Sequence, residues 1–335
     1  MGGRCVACAL WAVLACATLL LTGCALRGPV HPDAATVDLP WRVELDGTPF
    51  FPQRAYQCGP AALATVLAAS GVPVEPDELI DDVYLPAREG SLQAEIIAAT
   101  RQHDRLAYVA PPSLESLLAQ LADGRPVLVL QKTGFGAWPG WHYAVVIGYD
   151  LASRHVLLRS GTEARLELSF TRFMTLWDRA ERWAMVAIEP GTLPAEADLH
   201  RYMRAAAGLE AVGRRAAAAE AYRAASEAWP DDPLPRIGLA NLAYAGGDFA
   251  TAERELRAAV RHEPSDAALR NNHAIALHAM GCGASARREA ETARVLAAAG
   301  PHVTEVEASL REIDRAGAVD GPGCPAKDSW ANSLP

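Results

Sequence analysis

Three side chains in this sequence have the types and spacing to break an amide bond together. Cys58 opens the run Cys58-Gly59-Pro60-Ala61-Ala62-Leu63-Ala64-Thr65-Val66-Leu67, which follows an irregular, proline-containing stretch and is helical in character. A thiol at a helix N-terminus feels the positive end of the helix dipole, which favours the thiolate, the nucleophilic form of cysteine. Gln53 stands five residues upstream and can turn its side-chain NH2 toward an oxyanion on the carbonyl under attack. The base is His142, at the head of Tyr143-Ala144-Val145-Val146-Ile147, an apolar, β-branched run that reads as a buried strand. Taken singly, Cys58 reads equally well as a small core thiol and His142 as a strand-end histidine. The three together, in fitting helix and strand contexts, favour a site.

A cysteine with its histidine on a distant strand is the arrangement of papain-like enzymes. Gln53 with Cys58-Gly59-Pro60-Ala61-Ala62-Leu63, then His142-Tyr143-Ala144-Val145-Val146 and Gly148, resembles the papain-like double-glycine peptidase domain of bacteriocin exporters, and still more its stand-alone relatives. The resemblance implies a papain-like α+β fold over residues 46–190. It also implies thiol peptidase chemistry, with Cys58 as nucleophile, His142 as base and Gln53 as oxyanion donor. One departure matters. The family places an Asp, followed by Pro, on the strand after the histidine strand to orient the imidazole. Here that strand reads Arg154-His155-Val156-Leu157-Leu158-Arg159-Ser160-Gly161. With the hairpin turn centred near Ala152, positions whose numbers sum to about 304 face each other. Asp150 then pairs with Arg154 near the turn, His142 faces the Ser160–Thr162 end, and Ser160 sits roughly where the family's Asp would be, with Glu163 a further candidate if the register slips. A hydroxyl fixes a tautomer but stabilises imidazolium less than a carboxylate does. A catalytically degenerate module that only binds peptides is therefore the rival to an active peptidase.

Around these residues the pattern supplies a frame. Residues 92–102 have helical spacing, with Ser91 as N-cap. Residues 106–110 read as a strand, Ser113 caps a helix ending before Asp123-Gly124, and residues 126–130 form a continuous apolar strand. The glycine-rich loop 132–140 lacks the Gly-Lys-Ser/Thr end of a phosphate loop. Trp138 and Trp141 either wall a peptide cleft or join the core. A strand at 166–170, a short helix at 172–177 and a strand at 183–188 close the domain.

At 335 residues the chain is long enough for two domains, each with its own core. The formal charge of −9 argues against a nucleic-acid partner. No Cys/His cluster has metal-ligand spacing, and no cofactor motif is present. Residues 1–23 read as a targeting segment: Arg4, an apolar stretch, then Leu21-Thr22-Gly23-Cys24, which is similar to the lipobox of bacterial lipoproteins. That resemblance implies lipidation of Cys24, membrane anchoring and, with Ala25 rather than Asp next, an outer-membrane location facing the periplasm. The alternatives are a plain transmembrane anchor or an ordinary cleavage site. Residues 24–45 read as a tether. Cys282 and Cys324 could pair in an exported protein, but nothing in the sequence brings them together.

From residue 198 the chain becomes alanine-rich. Gly213, Ala218, Tyr222, Ala225 and Pro230 are echoed 34 residues later by Gly247, Ala252, Leu256, Ala259 and Pro264, and in part by Gly281, Ala286, Ala290 and Ala293. This period resembles tetratricopeptide repeats, against an unrelated alanine-rich bundle. The resemblance implies an all-α solenoid over 198–316, with residues 303–316 as a capping helix and a third repeat loosened by Gly281-Cys282-Gly283. It also implies a protein partner or substrate recruited by the repeats. Residues 317–335 read as a disordered tail.

Overall fold

The computed structural model describes residues 39–53, 57–133, 140–298, 300–317 and 319–325. The targeting segment, Cys24, most of the tether, Trp138 and the last ten residues lie outside the described residues. The N-terminal half runs β1 (Arg42–Glu44), α1 (Cys58–Ala69), α2 (Gln93–Gln102), β2 (Leu106–Val109), α3 (Leu114–Ala122), β3 (Val127–Lys132), β4 (Trp141–Asp150), β5 (His155–Ser160), β6 (Glu163–Ser169), α4 (Phe170–Asp178) and β7 (Ala184–Ile188). Short helical turns link α1 to α2. The strands form one antiparallel sheet in the order β2-β7-β3-β4-β5-β6, with β1 also pairing with β4. The fold is α+β, a sheet-containing half followed by a run of helices.

The central strands are buried on both faces, which is why they read as unbroken apolar runs rather than alternating ones. Leu128, Leu130, Tyr143, Val145 and Ile147 pack toward Leu63, Val66 and Leu67 of α1 and Ile96 of α2. Val127, Val129, Ala144 and Val146 pack the other way, toward Leu117 and Leu121 of α3 and Phe173 and Trp177 of α4. Burying side chains of this size contributes about 1.5–3 kcal/mol each, so α1, and Cys58 at its start, are fixed by the sheet.

Four expectations need correction here. The sheet begins before residue 46: Arg42 lies opposite Asp150 and Glu44 opposite Gly148. A Cβ on Gly148 would sit 2.3 Å from the Val43 carbonyl oxygen, so β1 can lie there only against glycine. The β4–β5 register near the turn pairs Asp150 with His155, and a bulge between Val146 and Gly148 restores the sum of 304 at Val145–Arg159. The N-cap of α2 is Leu92, without a side-chain bond; Ser91 does not cap. Finally, the two halves are not packed wholly apart: one apolar cluster spans both, while the others belong to one half alone.

The second half comprises α5 (Leu199–Ala211), α6 (Arg215–Ala228), α7 (Leu234–Ala245), α8 (Phe249–His262), α9 (Ala267–Ala279), α10 (Gly283–Ala297) and α11 (Val303–Ala316). Tyr202, Ala205, Ala206 and Leu209 of α5 join the same apolar cluster as Leu106, Tyr108, Val186 and Ile188 of the sheet. Polar contacts tie the connecting segment down: Gln120 Nε2 donates to the Ala195 carbonyl at 2.8 Å and Tyr202 Oη to the Thr192 carbonyl at 2.9 Å. A helix amphipathic enough to stack in a solenoid is equally able to cover a sheet, and α5 does both.

The 34-residue period is visible in the backbone. Gly213, Gly247 and Gly281 have φ of 79°, 79° and 80°, the left-handed region that glycine enters without a Cβ penalty. Ala218, Ala252 and Ala286 are fully buried at equivalent positions. The third repeat is not loosened. Asp248 caps α8 by accepting from the Thr251 N–H, and the equivalent residue before α10 is Cys282, which cannot. Asp320 supplies the missing cap: the Ser285 N–H and hydroxyl both donate to its carboxylate at 2.9 Å. A disulfide between Cys282 and Cys324 pins this segment, and Gly283 N–H donates to the Val319 carbonyl at 3.0 Å. Residues 319–325 are therefore packed on the repeats, contrary to a disordered tail beginning at 317. Removing an N-cap acceptor costs about 1 kcal/mol. Asp320→Ala should lower the denaturant midpoint about as much as Asp248→Ala does; an unchanged midpoint would show the borrowed cap to be idle.

Candidate active site

Cys58 is half-buried and is the one free cysteine among the described residues. It lines a cleft of about 840 Å³ together with Gln53, Ser91, Leu92, Trp141, His142, Tyr143 and Gly161. The positions follow from local structure. Cys58 is the first residue of α1, so its backbone N–H is one of the helix donors without an intrahelical partner. The backbone N–H groups of Tyr143, Gly59 and Cys58 itself all act on the sulfur. His142 precedes Tyr143 near the start of β4, so the strand that feeds an N–H to the sulfur also carries the base.

Ser160 Oγ lies 2.8 Å from His142 Nε2, the contact expected of the residue in the family's Asp position. This leaves Nδ1 as the ring nitrogen able to exchange a proton in the cleft. Asp150 accepts from the Ser153 N–H in the hairpin turn, away from the imidazole. Glu163 is exposed at the start of β6, directly opposite Ser160 in the ladder, and His142 Nε2 is taken by the serine. Gln53 is held at both ends. Its backbone N–H donates to the Gly161 carbonyl at 3.0 Å, and its Nε2 donates to the Tyr143 carbonyl at 3.2 Å. One amide proton is thus committed and one is left for a ligand. The β5–β6 turn therefore positions two functional side chains: Ser160, which holds His142, and, through Gly161, Gln53.

The electrostatics reverse one expectation. Burial pushes the Cys58 thiol above its ordinary range, and the surrounding N–H groups only partly offset this. Burial likewise pushes the His142 imidazole below its ordinary range. Desolvation penalises the charged form of either group, and the hydroxyl of Ser160 supplies no charge to oppose it. Cys58 and His142 thus line one cleft as a neutral thiol and a neutral imidazole, not with the thiolate that the helix terminus alone suggests.

Trp141 is 54 % exposed at the cleft, with Lys132 Nζ 5.1 Å from its ring centre. It is a wall rather than a core residue. Sequence reasoning missed Tyr143, Gly161 and Glu95. Tyr143 was within reach as the neighbour of His142; the other two are brought in by a turn and a helix face that no local pattern marks.

The geometry can be set beside known proteins. Residues 40–184 match the Peptidase C39-like family, and residues 209–300 match the tetratricopeptide repeat family. The chain carries a C39-like peptidase-family domain followed by tetratricopeptide repeats. Among solved structures, a Bacillus anthracis protein described as a C39-like peptidase is 17 % identical, covers 44 % of this chain and 98 % of its own, with a TM-score of 0.38. The first TPR of Spaghetti bound to an HSP90 peptide is 20 % identical and covers 35 % of this chain and 91 % of its own, with a TM-score of 0.33. No curated protein matches the chain.

Because alkylation requires thiolate, the rate for Cys58 should rise with pH through an inflection above the ordinary thiol value of about 8.5. Ser160→Asp should move that inflection down by favouring imidazolium beside the sulfur. Iodoacetamide rates across pH, read at the Cys58 peptide, check both. An inflection at the ordinary value, unmoved by Ser160→Asp, would contradict the buried neutral pair.

Proposed function

We propose that the chain is an exported, membrane-anchored cysteine peptidase whose repeats recruit a protein partner or its substrate. The observation that carries this reading is the meeting of Gln53, Cys58 and His142 at one cleft on the first turn of α1, with Ser160 bonded to the imidazole behind it. In the proposed cycle the Cys58 thiol gives its proton to His142 as sulfur attacks the peptide carbonyl. The oxyanion takes hydrogen bonds from the Cys58 backbone N–H and the free amide proton of Gln53. His142 then protonates the departing amine, and water attacks the thioester with His142 as base. Ser160 holds the imidazole in the working tautomer.

Export is supported by the lipobox-like Leu21-Thr22-Gly23-Cys24 and by the Cys282–Cys324 disulfide, since such bonds persist in oxidising compartments. In that setting the unpaired Cys58 is the exception, as a working thiol must be. Tetratricopeptide repeats generally mediate protein–protein contacts, which supports recruitment through α5–α10. A second reading, a peptide-binding module without turnover, is favoured by the neutral hydroxyl at position 160 and the raised thiol.

Peptide-library digestion separates the two. Wild-type protein should cleave; Cys58→Ala and His142→Ala should abolish cleavage, and Gln53→Ala should slow it roughly 10²-fold. Peptide binding equal in wild type and Cys58→Ala, with no cleavage by either, would favour the binding module. Anchoring is tested separately: Cys24→Ala should release the protein from membranes or leave an unprocessed precursor, and a processed variant that still sediments with membranes would refute lipidation.

A further inference from the structure

Three oxygens around the nucleophile are sealed from solvent and have no hydrogen-bond partner: Ser91 Oγ, Glu95 Oε2 and Tyr143 Oη. Buried polar groups are normally paired, because an unpaired one forfeits its hydration without return. Three together beside a reactive thiol point to a ligand that completes them.

Tyr143 links them: it shares the Cys58 cleft with Ser91, and the Glu95 carboxylate is near enough to act on its hydroxyl. Ser91 lies against the residue that follows the nucleophile: a Cβ on Gly59 would stand 2.1 Å from Ser91 Oγ. Glu95 is four residues on, in the first turn of α2. Tyr143 is only 2 % exposed, its ring set edge-on to Trp183 at 5.9 Å between centres. Burial above all, with the nearby Glu95 carboxylate adding to it, holds the Tyr143 hydroxyl protonated, so it can accept a hydrogen bond while keeping its own proton. Ser91 and Tyr143 line the cleft that holds Cys58. A carboxylate and two hydroxyls offer acceptors in excess of donors, and the group that best satisfies such a set is a cation with several N–H bonds.

We propose that Ser91, Glu95 and Tyr143 form a side-chain subsite beside Cys58 that receives the ammonium or guanidinium group of a basic residue in the bound peptide. The identity of the ligand as a peptide rests on the peptidase reading; the selectivity of the recess for a cation does not, and can be read without turnover.

The test uses two reagents that transfer a thiol fragment to Cys58, 2-aminoethyl methanethiosulfonate and n-propyl methanethiosulfonate. In each, the Cys58 sulfur bonds to the reagent's thiol sulfur and methanesulfinate leaves with the electron pair. Rates are measured on the full chain with its disulfide intact, located by the mass of the Cys58 peptide, and normalised to the same pair of rates with glutathione. The normalised preference for the ammonium reagent should be roughly tenfold or more. It should fall toward unity in Glu95→Gln and by several-fold in Tyr143→Phe and Ser91→Ala, while Glu89→Gln at the cleft rim leaves it unchanged. Circular dichroism melting confirms folding, and if one variant fails to fold the other two carry the comparison. A wild-type preference near unity overturns the subsite, as does a preference unmoved by all three variants or abolished by Glu89→Gln alone. Peptide digestion then separates the two readings. Cleavage indifferent to basic residues overturns the subsite and leaves the peptidase standing. A labelling preference without any cleavage leaves the subsite standing and overturns the peptidase.

Discussion

The central strands of this protein are buried on both faces, and most of its organisation follows from the need to cover them. One face is closed by α1 and α2, the other by α3, α4 and the first repeat helix α5. Covering the first face places the start of α1 against β4, and so places Cys58 beside the backbone of Tyr143. Covering the second face recruits Tyr202, Ala205 and Leu209 from the solenoid. The repeats are thus not a separate module on a flexible string. Whatever binds their surface acts on a body continuous with the sheet that carries His142.

The site is held together by backbone more than by charge. Gly161, in the turn between β5 and β6, accepts from the Gln53 N–H; its neighbour Ser160 holds the imidazole; Tyr143 takes the Gln53 amide. With a hydroxyl where a carboxylate would compensate imidazolium, desolvation wins over the helix dipole, whose effect is confined to the first turn and typically 0.3–1 kcal/mol at exposed sites. A neutral pair that separates charge only during attack is slower than a preformed ion pair. It is also less prone to oxidation, because susceptibility follows thiolate character, a useful property for a free thiol in the oxidising compartment proposed here.

The C-terminal segment shows how a repeat tolerates losing a residue its register requires. Position 282 would cap α10 if it were Asp, as Asp248 caps α8. It is Cys, and its disulfide brings in residues 319–325, whose Asp320 performs the capping. Between the second and third repeats lies a buried network in which His273 faces Glu253 at 3.2 Å and Arg270 faces Glu289 at 3.0 Å. Such buried pairs add little net stability but penalise any slipped register that would leave one charge alone.

The sequence by itself determined the features that repeat or that chemistry restricts to few residue types. Unbroken apolar runs marked the central strands, a 34-residue echo marked the repeats, and the Gln53, Cys58 and His142 contexts marked the site, because backbone periodicity and nucleophilic chemistry leave local traces. The hairpin sum of about 304 set His142 toward the Ser160–Thr162 end of the next strand, although a bulge shifts the register nearer the turn. Tertiary structure alone decided the rest. It joined Cys282 to Cys324 across 42 residues, made α5 a lid on the sheet, and left Ser91 as an unpaired neighbour of Gly59 rather than the cap of α2. It also raised the Cys58 thiol where the helix terminus argued for lowering it. Each of these depends on which surfaces lose water when distant segments meet, and desolvation is a property of the assembled environment that no local stretch of sequence carries.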